Sequence, residues 1–309
     1  MILVTGGLGF LGCNLAYVLA KKGQKLLLVQ RRISNIPSFL LPMVGKKIEV
    51  APCDILDLSS LFSIVKRRRI RSIIHLAGSY GQKGNLYQCI NTNINGTVNV
   101  LEAGRIFGVD KVTFLSSHSV YQRTSKVIHR EEEDLPLKSV HYISLVKKAS
   151  EMICHHYTNE FGLLILIIRA SQIYGPLYSS GVNPLQKMLE NSVAGKATHL
   201  PDVHPENGNN FMYVKDCVRA IGLVHLAQKL QFNIYNLGDQ YVTYGRMAEA
   251  VRKVINDAKI TLGSGTKGKI DEPLFLNMTR MKKEFGFRPE FTLENGIRDY
   301  IRWLREGKY

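Results

Sequence analysis

A chain of 309 residues with 45% hydrophobic residues can bury a large core, which excludes a disordered or fibrous protein. Forty-one Lys and Arg stand against twenty-five Asp and Glu, a net charge of +16 that points to an anionic ligand or partner but serves equally for solubility. The longest apolar run, Leu163–Ile168, is too short to span a bilayer, so no membrane insertion is expected, and five scattered cysteines without CxxC spacing suit reduced thiols in a cytoplasmic setting.

A strand is predicted over Ile2–Thr5, and strand-like sequence from Ile2 onward makes a secretory leader unexpected. Thr5-Gly6-Gly7-Leu8-Gly9-Phe10-Leu11-Gly12 leads from it into the amphipathic stretch Leu11–Lys22. Gly6 permits a sharp turn, Gly9 lets backbone approach a pyrophosphate, and Gly12 lets the helix pack on the strand. The N–H groups at the helix start, around Phe10 and Leu11, then face the phosphates with the positive end of the helix dipole. The next strand, Lys25–Val29, exits into Gln30-Arg31-Arg32. A free ribose 2′-hydroxyl calls for a carboxylate about 20 residues after the glycines, but Gln30 stands there. Arg31 and Arg32 suit a 2′-phosphate, so NADP is expected, with NAD as the alternative.

Asp54 follows the strand Ile48–Ala51 and is placed to accept a hydrogen bond from an adenine amino group. The helical stretch Leu58–Arg68 closes on Lys66-Arg67-Arg68-Arg69, with Arg71 behind it. This basic run reads as a solvated helix end, and no recognised nucleic-acid-binding motif accompanies it. Strand Ser72–Leu76, helix Asn93–Phe107 and strands Lys111–Leu115 and Leu163–Arg169 complete the alternation. It implies right-handed βαβ units in an α/β, doubly wound parallel (Rossmann) sheet covered on both faces. After Gly175-Pro176 the rhythm changes. A helix is predicted over Leu185–Ala194, a strand over Phe211–Val214, a helix over Asp216–Gln228, a strand over Asn233–Leu237 and an amphipathic stretch over Leu293–Arg305. We read 1–175 as the nucleotide-binding domain, with returns near 211–238, and 176–309 mainly as a smaller C-terminal substrate-binding lobe.

Further motifs follow in order: Cys53-Asp54-Ile55, His75-Leu76-Ala77-Gly78, Asn93-Ile94-Asn95-Gly96-Thr97, Ser116-Ser117-His118-Ser119-Val120-Tyr121, Arg169 to Pro176, and Tyr235-Asn236-Leu237-Gly238. Together with the opening turn they resemble the extended short-chain dehydrogenase/reductase family, in its NAD(P)-dependent nucleotide-sugar epimerase/dehydratase branch. The resemblance covers nearly the whole chain. It implies a cofactor site built from Gly6, Gly9, Phe10, Leu11, Gly12, Arg31, Arg32, Asp54, Ile55, Leu76, Ala77, Gly78, Asn93 and Lys147. It also implies a serine, a tyrosine and a lysine that handle a reacting oxygen while hydride passes to or from a nicotinamide. The serine maps onto Ser117 and the lysine onto Lys147. A homodimer through Asn93–Phe107 and Ile143–Glu160 is implied as well.

The family's tyrosine stands four residues before its lysine, on the same helix face. Here Ile143 fills that slot and Tyr142 lies one residue early. A bulge or a later helix start can bring the Tyr142 hydroxyl into place, which is the reading adopted. Otherwise the acid/base is lost, or is replaced by His118 or His141. On the substrate side the candidates are Ser79, Gln172 (in an asparagine slot) and Asn209 (in an arginine slot). Gly268-Lys269-Ile270-Asp271 replaces the family's RPGD, with Lys269 as a substitute charge. No metal-ligand set is recognisable. The expected function is an NAD(P)-dependent epimerase or dehydratase acting by hydride transfer on an anionic, nucleotide-linked, sugar-like small molecule. The alternatives are an NADP-dependent reductase of a non-nucleotide keto substrate, and a catalytically degenerate cofactor-binding protein with a scaffolding or nucleic-acid role.

Overall fold

In the computed structural model the chain enters β1 (Ile2–Thr5), turns through its glycines into α1 (Phe10–Lys21), and returns through β2 (Leu26–Gln30) and β3 (Ile48–Pro52). Next come α2 (Leu58–Arg67), β4 (Ser72–His75), α3 (Leu86–Ile90), a π-helical turn (Asn91–Asn95), α4 (Gly96–Ile106) and β5 (Lys111–Ser117). A 3-10 turn (His118–Tyr121) precedes β6 (Ile128–His129), α5 (Tyr142–Phe161), β7 (Ile165–Ala170) and β8 (Gln172–Tyr174). The remainder is α6 (Pro184–Val193), β9 (Thr198–Leu200), β10 (Gly208–Tyr213), α7 (Val214–Leu226), β11 (Ile234–Leu237), β12 (Gln240–Thr243), α8 (Tyr244–Val254), β13 (Ile260–Leu262), β14 (Phe275–Leu276), α9 (Thr279–Phe285) and α10 (Leu293–Glu306). The structure describes residues 1–33, 35–79, 85–123, 126–139, 141–178, 183–238, 240–265, 274–307 and 309.

Seven strands form one parallel sheet in the order β11-β7-β5-β4-β1-β2-β3. Side chains alternate between its faces, as a pleated strand requires. Leu3, Leu27, Ile73 and Phe114 pack toward α2, α4 and α5, while Val4, Leu28 and Ile74 pack toward α1 and α7. Covering both faces explains why β1, β4, β7 and β11 are buried at every residue and why the apolar run Ile165–Ile168 of β7 is unbroken. The strand order reverses beside β1. The chain steps outward to β2 and β3 and then returns to β4 on the opposite flank, which opens a crevice at the carboxyl ends of β1 and β4.

The later elements add a sheet of order β12-β10-β8 backed by α6, α8 and α10. Helix α10 starts at Thr292, whose side chain accepts the Asn295 N–H, and ends at Gly307 in the left-handed region. It buries Leu293, Ile297, Tyr300 and Ile301. Each such side chain contributes about 1.5–3 kcal/mol of transfer free energy.

One expected helix is differently built. Asn93–Phe107 is preceded by α3 and begins inside the π-helical turn. There Asn93 Nδ2 donates to Cys89 O (2.9 Å) and to Ser79 O (2.7 Å), so one side chain ties the widened turn to the segment leaving β4. Gly96 follows, and a Cβ on it would meet Ile55 Cδ1 at 2.5 Å.

Candidate active site

The turn after β1 has the geometry its glycines require. Gly6 has φ +65°, and a Cβ on it would lie 2.9 Å from Ala77 N. A Cβ on Gly12 would sit 2.3 Å from Gly6 O and 2.6 Å from Gly7 C, so this glycine lets α1 lie against the turn. At Gly9 a Cβ would meet only Gly6 O, at 3.1 Å, so its other side is open. Helix α1 has no side-chain cap and no acidic residue in its first turn. The Phe10 and Leu11 N–H groups therefore have no intrahelical acceptor and present a positive dipole end. An uncapped helix start beside an open glycine fits a diphosphate.

Gln30 folds back onto this turn, its Oε1 accepting the Leu8 N–H at 3.4 Å, while Arg31 and Arg32 are exposed just beyond it. Asp54 accepts the Leu56 N–H at 3.0 Å, and Ile55 is buried against α4.

A hydrogen-bond relay not foreseen from the sequence locks the crevice floor. Thr97 Oγ1 donates to Asn93 O at 2.5 Å and so accepts from His75 Nε2 at 3.1 Å. His75 Nδ1 then accepts from Thr5 Oγ1 at 2.7 Å, and Thr5 Oγ1 accepts the Ala77 N–H at 3.3 Å. Burial, aided by the Lys147 charge, lowers the His75 pKa to about 3, which keeps the ring neutral as this pattern requires. The relay joins the end of β1, the Leu76-Ala77-Gly78 exit of β4 and the π-helical turn. The only sequence hint was His75 at the end of a strand, between two hydroxyl residues that are distant along the chain.

Ser117 ends β5 and Lys147 reaches the same strand from α5, donating from Nζ to Leu115 O at 2.7 Å. Burial lowers the lysine pKa to about 8, against the opposing pull of Cys154, Glu151 and Cys89. Ser117 Oγ accepts the Ser119 N–H at 3.2 Å, which leaves its hydroxyl hydrogen available to donate. His118 follows directly, its Nδ1 bonded to Ala170 O at 3.1 Å. A carbonyl can only accept, so Nδ1 carries the proton. Burial lowers the ring pKa to about 4 despite the raising effect of that bond, and so keeps the imidazole neutral near pH 7.

Helix α5 is continuous from Tyr142 to Phe161, so no bulge separates Tyr142 from Lys147. The helix instead starts at Tyr142 itself, with His141 Nδ1 accepting the Ser144 N–H at 3.4 Å. At about 100° per residue, five positions place Tyr142 about 140° round the axis from Lys147, whereas Ile143 lies about 40° away. Tyr142 is 37% exposed at the helix mouth, and burial together with the Cys89 thiol raises its hydroxyl pKa. The bulge is therefore excluded, and the helix starts no later than Tyr142, which lies within its first turn on a different face from Lys147.

A buried polar network braces the floor from below. Arg169 Nη2 and Nε bond Glu151 Oε2 at 2.7 and 3.0 Å, with side chains 3% and 1% exposed. Ser116 Oγ donates to the same carboxylate, and Arg169 Nη1 donates to Tyr121 OH at 2.7 Å. Tyr121 OH lies 2.8 Å from Asn236 Oδ1, which links β5, α5, β7 and β11. The Glu151 charge and the Tyr121 bond push the Arg169 pKa up against the effect of burial.

On the substrate side, the pairing of β8 with β10 brings Gln172 and Asn209 together, Asn209 Nδ2 donating to Gln172 Oε1 at 3.2 Å. Ser79 contributes its carbonyl to Asn93 and Cys89. The Gly268–Asp271 stretch with Lys269 lies outside the described residues.

Comparison with known proteins agrees with this arrangement. The model of the NAD dependent epimerase/dehydratase family matches residues 2–238. UDP-glucuronate 4-epimerase of Thermodesulfobacterium geofontis is 25% identical, over 99% of this chain and 96% of its own. UDP-N-acetyl-alpha-D-glucosaminuronate decarboxylase of Bacillus cytotoxicus is 26% identical, over 98% and 97%. The fold matches UDP-glucuronic acid 4-epimerase of Bacillus cereus, solved with UDP-glucuronic acid and NAD, with a TM-score of 0.84 at 20% identity over 99% of both chains. With three quarters of its length matched by the family model and the same sheet beneath it, the chain belongs to the NAD dependent epimerase/dehydratase family.

Proposed function

We propose that this protein is an NAD(P)-dependent enzyme that epimerises, dehydrates or otherwise remodels a nucleotide-linked sugar through reversible hydride transfer. The observation that carries the reading is the meeting, at one sheet edge, of an uncapped helix start with Lys147 anchored on Leu115 O beside Ser117. Phe10 and Leu11 N–H groups hold the diphosphate, with Gly6, Gly9 and Gly12 giving it room. Asp54 and Ile55 take the adenine, and Leu76, Ala77, Gly78 and Asn93 line the crevice. The bound nicotinamide supplies the hydride acceptor. Ser117 donates a hydrogen bond to the reacting oxygen, Lys147 holds the nicotinamide ribose, and Tyr142, turned in from the helix mouth, moves the proton. Ser79, Gln172 and Asn209 contact the sugar.

His118 carries a second reading of the proton transfer. Its Nδ1 is committed to Ala170 O, so the lone pair of the neutral ring is on Nε2, one residue from Ser117, where the hydrogen bond from the Asn209 side chain must give way before it takes a proton. Tyr142→Phe and His118→Asn separate the two. If Tyr142 is the acid/base, Tyr142→Phe drops kcat by roughly 100-fold or more while His118→Asn changes it little; the reverse pattern assigns His118. The relatives act on UDP-linked uronic acids, so UDP-glucuronic acid is the first substrate to test, by chromatographic separation of products after incubation with each dinucleotide.

For the cofactor, Gln30-Arg31-Arg32 supports NADP, whereas the family description and the bound neighbour carry NAD. Replacing Arg31 and Arg32 with alanine weakens NADP at least tenfold against NAD if the arginines hold a 2′-phosphate, and leaves the ratio unchanged if they face solvent. A homodimer through α4 and α5 draws support from the exposed Leu145 and Met152 on α5, and sedimentation of Met152→Glu tests it.

A further inference from the structure

In a parallel sheet every strand begins at the same edge, opposite the cleft. At that edge the chain carries its densest charge. Lys21, Lys22 and Lys25 lie in the turn entering β2, and Lys46 and Lys47 precede β3. Lys66, Arg67, Arg68, Arg69 and Arg71 precede β4, and all ten side chains are exposed. Two carboxylates accompany them among the described residues, Glu49 bonded to Arg68 and Asp110 bonded to Arg71. Ten cations less the two carboxylates bonded to them leave +8 at the entries of β2, β3 and β4, half the chain's +16, with Glu160 beside Phe161 outside this count.

The sheet register turns this into an ordered row. Leu26 N bonds Lys47 O, Ile2 N bonds Lys25 O, Arg71 N bonds Met1 O, and Asp110 N bonds Arg71 O. Lys47 and Lys25 therefore project from adjacent strand entries and Arg71 from the far side of β1, with strands about 4.8 Å apart. Complementing helix dipoles accounts for Lys21, Lys66 and Arg67 in the last turns of α1 and α2, but not for Lys25, Lys46, Lys47, Arg69 or Arg71 in the turns beyond. Beside the row, at the entries of β5 and β7, Ile106, Phe161 and Leu164 are 46%, 50% and 40% exposed.

From this placement we propose that the amino-terminal edge of the central sheet docks the protein on an anionic lipid surface. Basic side chains meet the headgroups, and Phe161, Leu164 and Ile106 enter the interfacial layer. The exposed apolar Ile106 and Leu164 beside the row gain nothing against a phosphate backbone, and the turns entering β2, β3 and β4 present no α-helix of their own to lie in a groove, which disfavours nucleic acid as the occupant. Among the described residues no helix is long and apolar enough to cross a membrane, so the contact is peripheral. The glycine turn, Asp54 and Ser117 sit at the opposite ends of the strands, so a docked molecule keeps its cleft facing water.

The test is co-sedimentation of the full chain with phosphatidylcholine vesicles, with and without phosphatidylglycerol. Binding is expected only with the anionic lipid and is expected to be lost at about 1 M salt, where the Debye length is about 3 Å. Lys25→Ala/Lys46→Ala/Arg67→Ala, one change ahead of each of β2, β3 and β4, lowers partitioning roughly 100-fold, about fivefold for each basic residue removed near the surface. Its dinucleotide binding stays at the wild-type level, which shows that it is folded. Equal pelleting with both lipids, wild-type pelleting of the triple variant, or tighter binding to duplex DNA than to the anionic vesicles at the same salt would overturn the proposal.

Discussion

Gly9 and Gly12 lie three residues apart in the same turn, and the structure predicts opposite consequences for adding a methyl group to each. At Gly12 the new Cβ falls 2.3 Å from Gly6 O and 2.6 Å from Gly7 C, more than 1 Å inside an ordinary contact of about 3.5–4.0 Å. Both obstacles are backbone, so α1 must move off the turn, at a cost of about 1–3 kcal/mol. At Gly9 the Cβ meets only Gly6 O, at 3.1 Å, which a shift of a few tenths of an ångström relieves. In the proposed cofactor site its methyl projects into the space given to the diphosphate. Losing one or two charge-assisted bonds to backbone N–H groups, at about 1.5–3 kcal/mol each, weakens the dinucleotide at least tenfold. Thermal melting and fluorescence titration with reduced dinucleotide read the two effects separately. Gly12→Ala should melt several degrees lower and bind poorly, whereas Gly9→Ala should melt with the wild type and still bind poorly. Equal destabilisation by the two, or wild-type affinity in Gly9→Ala, would refute the reasoning.

Other consequences follow from the same site. Glu151→Gln leaves the Arg169 guanidinium buried without its counter-charge and should cost about 3–5 kcal/mol in denaturant unfolding; a change below about 1 kcal/mol would show that water reaches the pair. Lys147 titrates near 8 in the folded chain, below its unfolded value of 10.5. The folded state therefore binds fewer protons between those values, and the penalty, full below pH 8, is relieved as pH rises toward 10.5. Lys147→Met should accordingly melt higher than the wild type at pH 7, with the gap narrowing by pH 10, and should lose turnover. A gap that does not narrow with pH would assign the gain to packing rather than to charge. Thr5→Val removes the hydroxyl between Ala77 N and His75, leaves the buried Nδ1 without its donor and should cost about 1–3 kcal/mol by melting.

Much of this architecture was legible in the residues. Apolar runs such as Ile2–Thr5 and Leu163–Ile168 are unbroken because their strands are covered on both faces. Gly6 and Gly12 are each required by a close backbone approach, whereas Gly9 borders open space. Asn93 and Lys147 also emerged, because their neighbours repeat a recognisable pattern. The short α3 and the π-helical turn did not emerge. Their geometry follows from Asn93 reaching both Cys89 O and Ser79 O, a tertiary contact without periodicity. The His75 relay was hidden for the same reason, since Thr5 and Thr97 meet the ring only once β1, β4 and α4 are packed. Tyr142 shows the limit most clearly. Spacing revealed the one-residue slip, but only the fold shows that the helix begins at the slip rather than bulging past it. The basic run before β4 read as a lone helix end because its companions, Lys25 and Lys47, are brought beside it by strand pairing.

Dinucleotide and sugar chemistry are proposed to meet at Ser117 and Lys147. Incubating the protein with UDP-glucuronic acid and a panel of UDP-hexoses in the presence of NAD or NADP, followed by proton NMR of the sugar, tests it most directly. New sugar resonances are expected from at least one nucleotide sugar, dependent on dinucleotide and absent in Lys147→Met. Tight dinucleotide binding with every nucleotide sugar left unchanged would contradict it.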